Sequence, residues 1–381
     1  MYLPLIVVLQ TYTTAPFLIP EIHHHSFAHM ANLKLFAGIS TALVLSGCAA
    51  LNTVAQNTVA QTPKPAKNNL IGLFIVKRDN LNQQYRGEIF PIARYSNGRY
   101  TDASVDVTIQ VRQDSKEAEI VKRNAANSVL NTKPTLNAIN PQGGSLGKFS
   151  IDRLGVGRFA CSSVLIGRSK FTGQSSIQAT FNQLPKSSER RSSGAINGRE
   201  FDETWRSTIA TQLAPTAFPE AFGVTRPQFE QARKDLLQIG ASEIAKIPEA
   251  KSVSGSVQLI DVQVFDLDRD GKPEVYGRLR KAPSTPVKPP ADRAVVTSIY
   301  ANIWLGYAAP QAKVLSTQVV PYYVPSDASR AYEVLGTVDA NGDGKQEVLI
   351  QNNGYEAITF SIHELQGNQL KSVFTGAGYG C

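Results

Sequence analysis

Two short segments limit what this chain can fold into more than anything else in it: Asp266-Leu-Asp268-Arg-Asp270-Gly271-Lys272-Pro273-Glu274 and Asp339-Ala-Asn341-Gly-Asp343-Gly344-Lys345-Gln346-Glu347. Each sets oxygen-bearing side chains at loop positions 1, 3, 5 and 9, with glycine at 6. Alternate positions of a tight loop converge on one side, and glycine permits the sharp turn that lets carboxylates and a main-chain carbonyl wrap a hard cation, for which calcium is the natural guest. An EF-hand is excluded, because position 12 is Gly277 in the first copy and Ile350 in the second, where that loop needs a bidentate Glu. The flanks are β-prone: Val257 to Phe265 and Val275 to Arg280 around the first copy, Tyr332 to Val338 and Val348 to Gln351 around the second. Each loop is therefore expected to join two strands. Asp, Asn and Gly form polar turns without any ion, but two in-frame copies with the same closing Glu favour metal.

Strand, calcium loop, strand, met twice, resembles the FG-GAP repeats of integrin-like β-propellers and related calcium-loop repeats of bacterial surface proteins, over roughly residues 254–381. In that family each blade has four strands with the loop between the first two. The second unit fits as Val334 to Val338, Glu347 to Gln351, Glu356 to Leu365 and Gln369 to Phe374; the first continues, after the insertion Pro283 to Pro290, with Ala294 to Trp304 and Lys313 to Val320. The resemblance implies one site made by Asp266, Asp268, Asp270, Glu274 and the Lys272 carbonyl, and another made by Asp339, Asn341, Asp343, Glu347 and the Lys345 carbonyl. Four carboxylates against three favour the first, an advantage that Arg269 reduces. The ion's role would be structural, fixing the strands on either side of mutually repelling carboxylates. Two units fall short of a closed propeller, which needs four or more blades. Either divergent upstream strands complete a ring, or this is a smaller blade-like sheet or sandwich.

The other strong signal is an address. From Met30 the chain has one Lys (Lys34), an apolar run from Leu35 to Leu45, then Ser46-Gly47-Cys48, so residues 30–47 have the shape of a signal peptide, too short to span a bilayer. Leu45-Ser46-Gly47-Cys48 resembles the lipobox of bacterial lipoproteins, which implies that Cys48 becomes the first residue and carries palmitate-like acyl chains, enough for durable anchoring. Residues 1–29 then read as a mis-assigned extension before the true start at Met30. Residues 48–69, with the tandem Asn52-Thr-Val-Ala-Gln56 and Asn57-Thr-Val-Ala-Gln61, read as a flexible tether with a root-mean-square span of roughly 25 Å. The expected location is the bacterial cell envelope, lipid-anchored, facing the periplasm or exterior. In that oxidising setting Cys161 and Cys381 either pair, which would contribute about 5 kcal/mol on the chain-entropy account, or remain separate buried thiols.

The body has apolar material for a sizeable core, 42% hydrophobic against 18% charged residues, in two domains. Residues 70–184 read as an all-β domain, with runs at Leu70 to Lys77, Glu88 to Tyr95, Val105 to Arg112, Lys148 to Leu154 and Ser163 to Gly167, and a hairpin turn at Asn97-Gly98. Residues 185–225, poor in large apolar side chains at their start, read as a linker. Residues 226–247 read as a helix, boxed by Thr225 and Gln228, whose stripe of Phe229, Ala232, Leu236, Gly240, Ile244 and Ile247 would pack between the two β regions. The class is thus mainly β: an N-terminal β domain, one connecting helix and C-terminal blade-like sheets.

Histidine placement narrows function. Four of the five His precede residue 30 and only His363 follows, which excludes most zinc enzymes and weakens triad hydrolases. A net charge of +8 without aromatic residues among the basic ones gives no expectation of a nucleic-acid partner. The leading expectation is a non-catalytic binding or scaffold module for an envelope protein or polysaccharide. Tyr300, Trp304, Tyr307, Tyr322 and Tyr323 are the candidate carbohydrate-facing aromatics. The alternative is a carboxylate-dependent glycan hydrolase, for which Asp202 and Glu203 beside Trp205 are the nominated pair.

Overall fold

The computed structural model describes residues 68–380 except 114–115, 141–143, 160–161, 173–175, 197–198, 216–223, 286–293, 308–310, 325–331 and 355–356. The signal segment, Cys48, the tether, Cys161 and Cys381 lie outside the described residues. The described chain is mainly β, with several antiparallel sheets and few helices.

The first half runs β1 (Asn68–Asp79), β2 (Gln84–Ser96), β3 (Arg99–Asp102), α1 (Thr108–Arg112), α2 (Glu117–Asn124), β4 (Thr135–Ile139), β5 (Ser145–Phe159), β6 (Ser162–Thr172), α3 (Ile177–Gln183), β7 (Arg190–Ile196) and β8 (Arg199–Thr211). Strands follow the order β1-β2-β6-β5-β4-β8, and β8 returns to pair with β1, so the sheet closes on itself. Its inside is filled by Leu70, Phe74, Val76, Ile89, Leu136, Phe149 and Ile151, and Phe181 and Leu184 of the α3 segment join them. The rings of Phe74 and Phe149, on strands that are not neighbours, meet across it at 5.1 Å. On the other face of the same strands Ile71, Leu73, Ile75, Phe90, Ile92, Val164, Ile166 and Ile209 are buried too. Burial on both faces is why β1 reads as a nearly unbroken apolar run instead of an alternating one.

That second face is covered by the last sheet. After α4 (Arg226–Ala245) come β9 (Val257–Phe265), β10 (Glu274–Lys281), β11 (Val295–Gly306) and β12 (Lys313–Val324), then β13 (Tyr332–Val338), β14 (Glu347–Asn353), β15 (Ala357–Gln366) and β16 (Gln369–Gly380). Each set of four forms its own antiparallel sheet with sequence neighbours paired. Leu349, Phe360, Ile362 and Phe374 pack against the closed sheet. On its opposite face Val334, Val348, Ile350 and Leu370 meet Phe265, Leu267, Tyr276, Trp304 and Leu315 of the β9–β12 sheet. Alternate residues of a strand point to opposite faces, so one short strand serves two cores.

Three expectations are corrected. The stretch read as a linker holds β7 and β8, and β8 is a closing strand of the first sheet. It escaped notice because its inward positions are Thr204, Arg206 and Thr208, all buried, instead of large apolar residues. Arg206 is accommodated by stacking on Phe181, 4.6 Å from the ring centroid, and by donating to Glu189 and to the Phe181 carbonyl. The first region is not all β: α1, α2 and α3 interrupt it, and the run Val105 to Arg112 turns helical after Asp106, whose Oδ1 accepts from the Thr108 N–H at 2.7 Å.

The third correction concerns α4. Its capping box is formed, with the Thr225 N–H donating to Gln228 Oε1 at 2.8 Å, and Ala232, Leu236, Gly240 and Ile244 are its buried residues. This stripe lies on the outer face of the β9–β12 sheet, against Val275, Leu279, Ile299 and Ile303, not between the two β regions. Two glycines set the approach: a Cβ at Gly240 would come 2.5 Å from Leu279, and one at Gly277 would come 2.6 Å from Leu236. Each leucine fills the gap the opposing glycine leaves. Gly277→Val should therefore destabilise by about 1–3 kcal/mol through overpacking, read as a lower urea midpoint with unchanged m-value.

Candidate metal centre

Both loops fold the same way, each at the first turn of its sheet. The position-2 side chain anchors the turn by burial: Leu267 and Ala340 are each 0% exposed. Positions 4 and 6 take left-handed backbone, Arg269 (φ 61°) and Gly271 (φ 78°) in the first loop, Gly342 (φ 78°) and Gly344 (φ 93°) in the second. Glycine is free there, whereas Arg269 bears a steric cost.

Four main-chain donors repeat in both copies. The position-6 N–H donates to the position-1 carboxylate, Gly271 to Asp266 at 3.3 Å and Gly344 to Asp339 at 3.1 Å. The position-5 N–H donates to position 3, Asp270 to Asp268 and Asp343 to Asn341. The position-7 N–H donates to position 5, Lys272 to Asp270 and Lys345 to Asp343, both at 2.8 Å. The position-2 N–H donates to the closing Glu, Leu267 to Glu274 at 2.7 Å and Ala340 to Glu347 at 2.6 Å. These bonds hold the turn and leave other lone pairs for a ligand.

The two copies differ in what they gather. In the first, carboxylate oxygens of Asp266, Asp268 and Glu274 lie within 4.8 Å of one another, and Asp266 and Glu274 are buried. Among the described residues Asp266 Oδ1 is buried without a hydrogen bond of good geometry, and the nearby Arg269 N–H opposes the effect of burial on the carboxyl. Burial, with Asp268 and Asp270 nearby, raises the Asp266 carboxyl above its usual range, and burial with the same neighbours pushes Glu274 up to about 8. Asp270 stays outside the cluster and has Lys272 Nζ 3.5 Å away. In the second copy burial, then Asp343 and Asp339, push Glu347 up to about 9. Asp339, Asp343 and Glu347 form no comparable cluster among the described residues. Such groups are costly as free anions and better as ligands, which suits hard-cation binding by oxygen.

Two partners could not be found in the linear motif. Glu364 on β15 accepts from Asn341 Nδ2 at 3.4 Å, and Asn69 on β1 donates to the Ala340 carbonyl at 2.7 Å. Gln346 N–H donates to the Leu267 carbonyl at 2.7 Å, so the loops touch. A cavity of about 300 Å³, lined among others by Thr208, Ile209, Phe265, Val334, Asp339 and Gln346, lies beside the second loop.

The nominated hydrolase pair does not converge. Asp202 and Glu203, adjacent on β8, point to opposite faces; Asp202 pairs with Arg191 at 2.6 Å and Glu203 with Arg86 at 2.6 Å. Three of the nominated aromatics are occupied internally: Trp304 is 0% exposed and donates to Tyr332 Oη, Tyr307 donates to Asp235 and Tyr323 to Glu249. Tyr300 lies beneath Arg278 and Arg280 with Tyr322 at its edge.

No family model, curated protein or solved structure matches this chain.

Proposed function

We propose that the protein is a lipid-anchored lipoprotein of the bacterial cell envelope whose β-rich body is a calcium-stabilised, non-catalytic binding or scaffold module. The observation that carries the metal reading is the convergence of the buried Asp266 and Glu274 carboxylates with Asp268, within 4.8 Å of one another, where Asp266 Oδ1 makes no hydrogen bond of good geometry among the described residues. The blade reading is supported by two four-stranded sheets, each with its acidic loop between the first and second strand. Among the described residues there are two such sheets, and the closed first sheet covers one of them, which favours a stack of sheets over a closed propeller. Anchoring rests on the lipobox ending at Cys48; among the described residues no helix is long and apolar enough to cross a membrane.

The ion's work is structural, because the loop it fills fixes the β9–β10 turn and, through Gln346, touches the next sheet. The experiment is thermal unfolding in EDTA, then in millimolar calcium or magnesium. A rise with calcium and little with magnesium is expected; no rise with either contradicts the reading. Palmitate labelling that persists after Cys48→Ser would contradict the anchor.

A further inference from the structure

We propose that the protein takes up one divalent cation per chain, in the first loop, and that the second loop is the same turn closed by its own hydrogen-bond donors, main-chain N–H groups and the Asn341 amide, a strut instead of a site. This rests on the calcium reading above and narrows it. Four main-chain bonds of the two turns match, so their differences lie in the position-4 N–H, which closes on Asp339 at 2.7 Å in the second loop, and in the side chains. In the first loop Asp266 Oδ2 accepts from Gly271 at 3.3 Å and the Arg269 N–H approaches the same carboxylate, but Oδ1, in a residue only 2% exposed, makes no hydrogen bond of good geometry among the described residues. Among the described residues, the three clustered carboxylates Asp266, Asp268 and Glu274 are met by main-chain N–H groups and one another. Carboxylates gathered this closely in buried surroundings repel one another and are stabilised by a shared cation.

In the second loop the carboxylates are met by donors of the loop itself. Asp339 uses both oxygens, Oδ1 accepting from Gly342 N–H at 2.7 Å and Oδ2 from Gly344 N–H at 3.1 Å. Position 3 is Asn341, whose Oδ1 is held by the Asp343 N–H at 2.8 Å. Its Nδ2 is thereby turned toward Glu347 Oε1 at 3.2 Å and Glu364 Oε1 at 3.4 Å. An amide NH₂ donates to carboxylates and cannot ligate a cation, so Asn341 does here what an ion does in the first loop. Arg269, reaching from the first loop, lies near enough to Asp339 to oppose the effect of its burial. The closed loop is bonded on two sides, through the Ala340 carbonyl to Asn69 of β1 and through the Gln346 N–H to Leu267 of the first loop. It ties the closed sheet to the β9–β12 sheet whether or not calcium is present.

The test is native mass spectrometry of the full chain with calcium chloride at pH 8, comparing the parent with Asp268→Asn, Asp343→Asn and Asn341→Asp. One bound calcium is expected in the parent, none in Asp268→Asn, one in Asp343→Asn with affinity within about threefold, and two in Asn341→Asp. The retained ion and the gained ion do not depend on a variant failing to fold. Two ions on the parent, one of them lost in Asp343→Asn, would overturn the single-site claim and leave the calcium reading standing. No ion on the parent would overturn both. A count that stays at one in Asn341→Asp would overturn the role given to that amide.

Discussion

At pH 8.5, about 1 mM calcium should raise the melting temperature by roughly 2–5 °C, and at pH 6 by almost nothing. With dissociation near 10⁻⁴ M, the value usual for extracellular modules, one filled site contributes about 1.4 kcal/mol. Glu274 must lose its proton to ligate, and burial has pushed its carboxyl up to about 8. Two pH units below that value only about one molecule in a hundred has it ionised, so apparent affinity weakens on the order of a hundredfold and 1 mM calcium contributes about 0.1 kcal/mol. The ion-free protein should show the complementary trend. A carboxyl whose folded pKa lies above its unfolded one binds an extra proton when folded, so stability falls as pH rises from about 4.5 and levels off beyond 8. Glu347, at about 9, extends the fall. Melting in EDTA and in calcium at both pH values checks this; an equal calcium shift at pH 6 and 8.5 would contradict it.

Trp304→Ala should cost about 3–5 kcal/mol. The indole is 0% exposed between the two four-stranded sheets, with Phe265 and Tyr276 at 5.4 and 5.2 Å, and it donates to Tyr332 Oη at 3.1 Å. Truncation removes the largest buried side chain of that interface and leaves a buried phenol without its donor. Trp304→Phe should recover most of the apolar burial and lose about 1 kcal/mol for the hydrogen bond. Urea unfolding measures both. If Trp304→Ala unfolded at the parent's midpoint but no longer held polysaccharide, the residue would belong to a ligand surface and not to the core.

The strands of the last two sheets were legible because each acidic loop marks where one strand ends and the next begins, and because Gln366-Gly-Asn closes the final hairpin. The helix was legible from its three- and four-residue stripe, but which sheet it covers was not: that depends on Gly240 meeting Leu279 and Gly277 meeting Leu236, a fit between distant segments. β8 stayed hidden because threonines and one stacked arginine face its interior, where a pattern of large apolar residues is the signal. At the site, the motif named Asp266, Asp268 and Glu274, which do converge. It also named Asp270, which pairs with Lys272, and it could not show that Asn341 turns its amide toward Glu347 and Glu364, the latter contributed by another strand.

Calorimetric titration of calcium into the protein at pH 8.5, alongside Asp266→Asn, tests the central claim most directly. Saturable binding near 10⁻⁴ M in the parent that disappears in the variant, with the variant still melting cooperatively in EDTA, is the predicted result. Absence of binding in the parent, or unchanged binding in Asp266→Asn, would contradict a cation centre at the first loop.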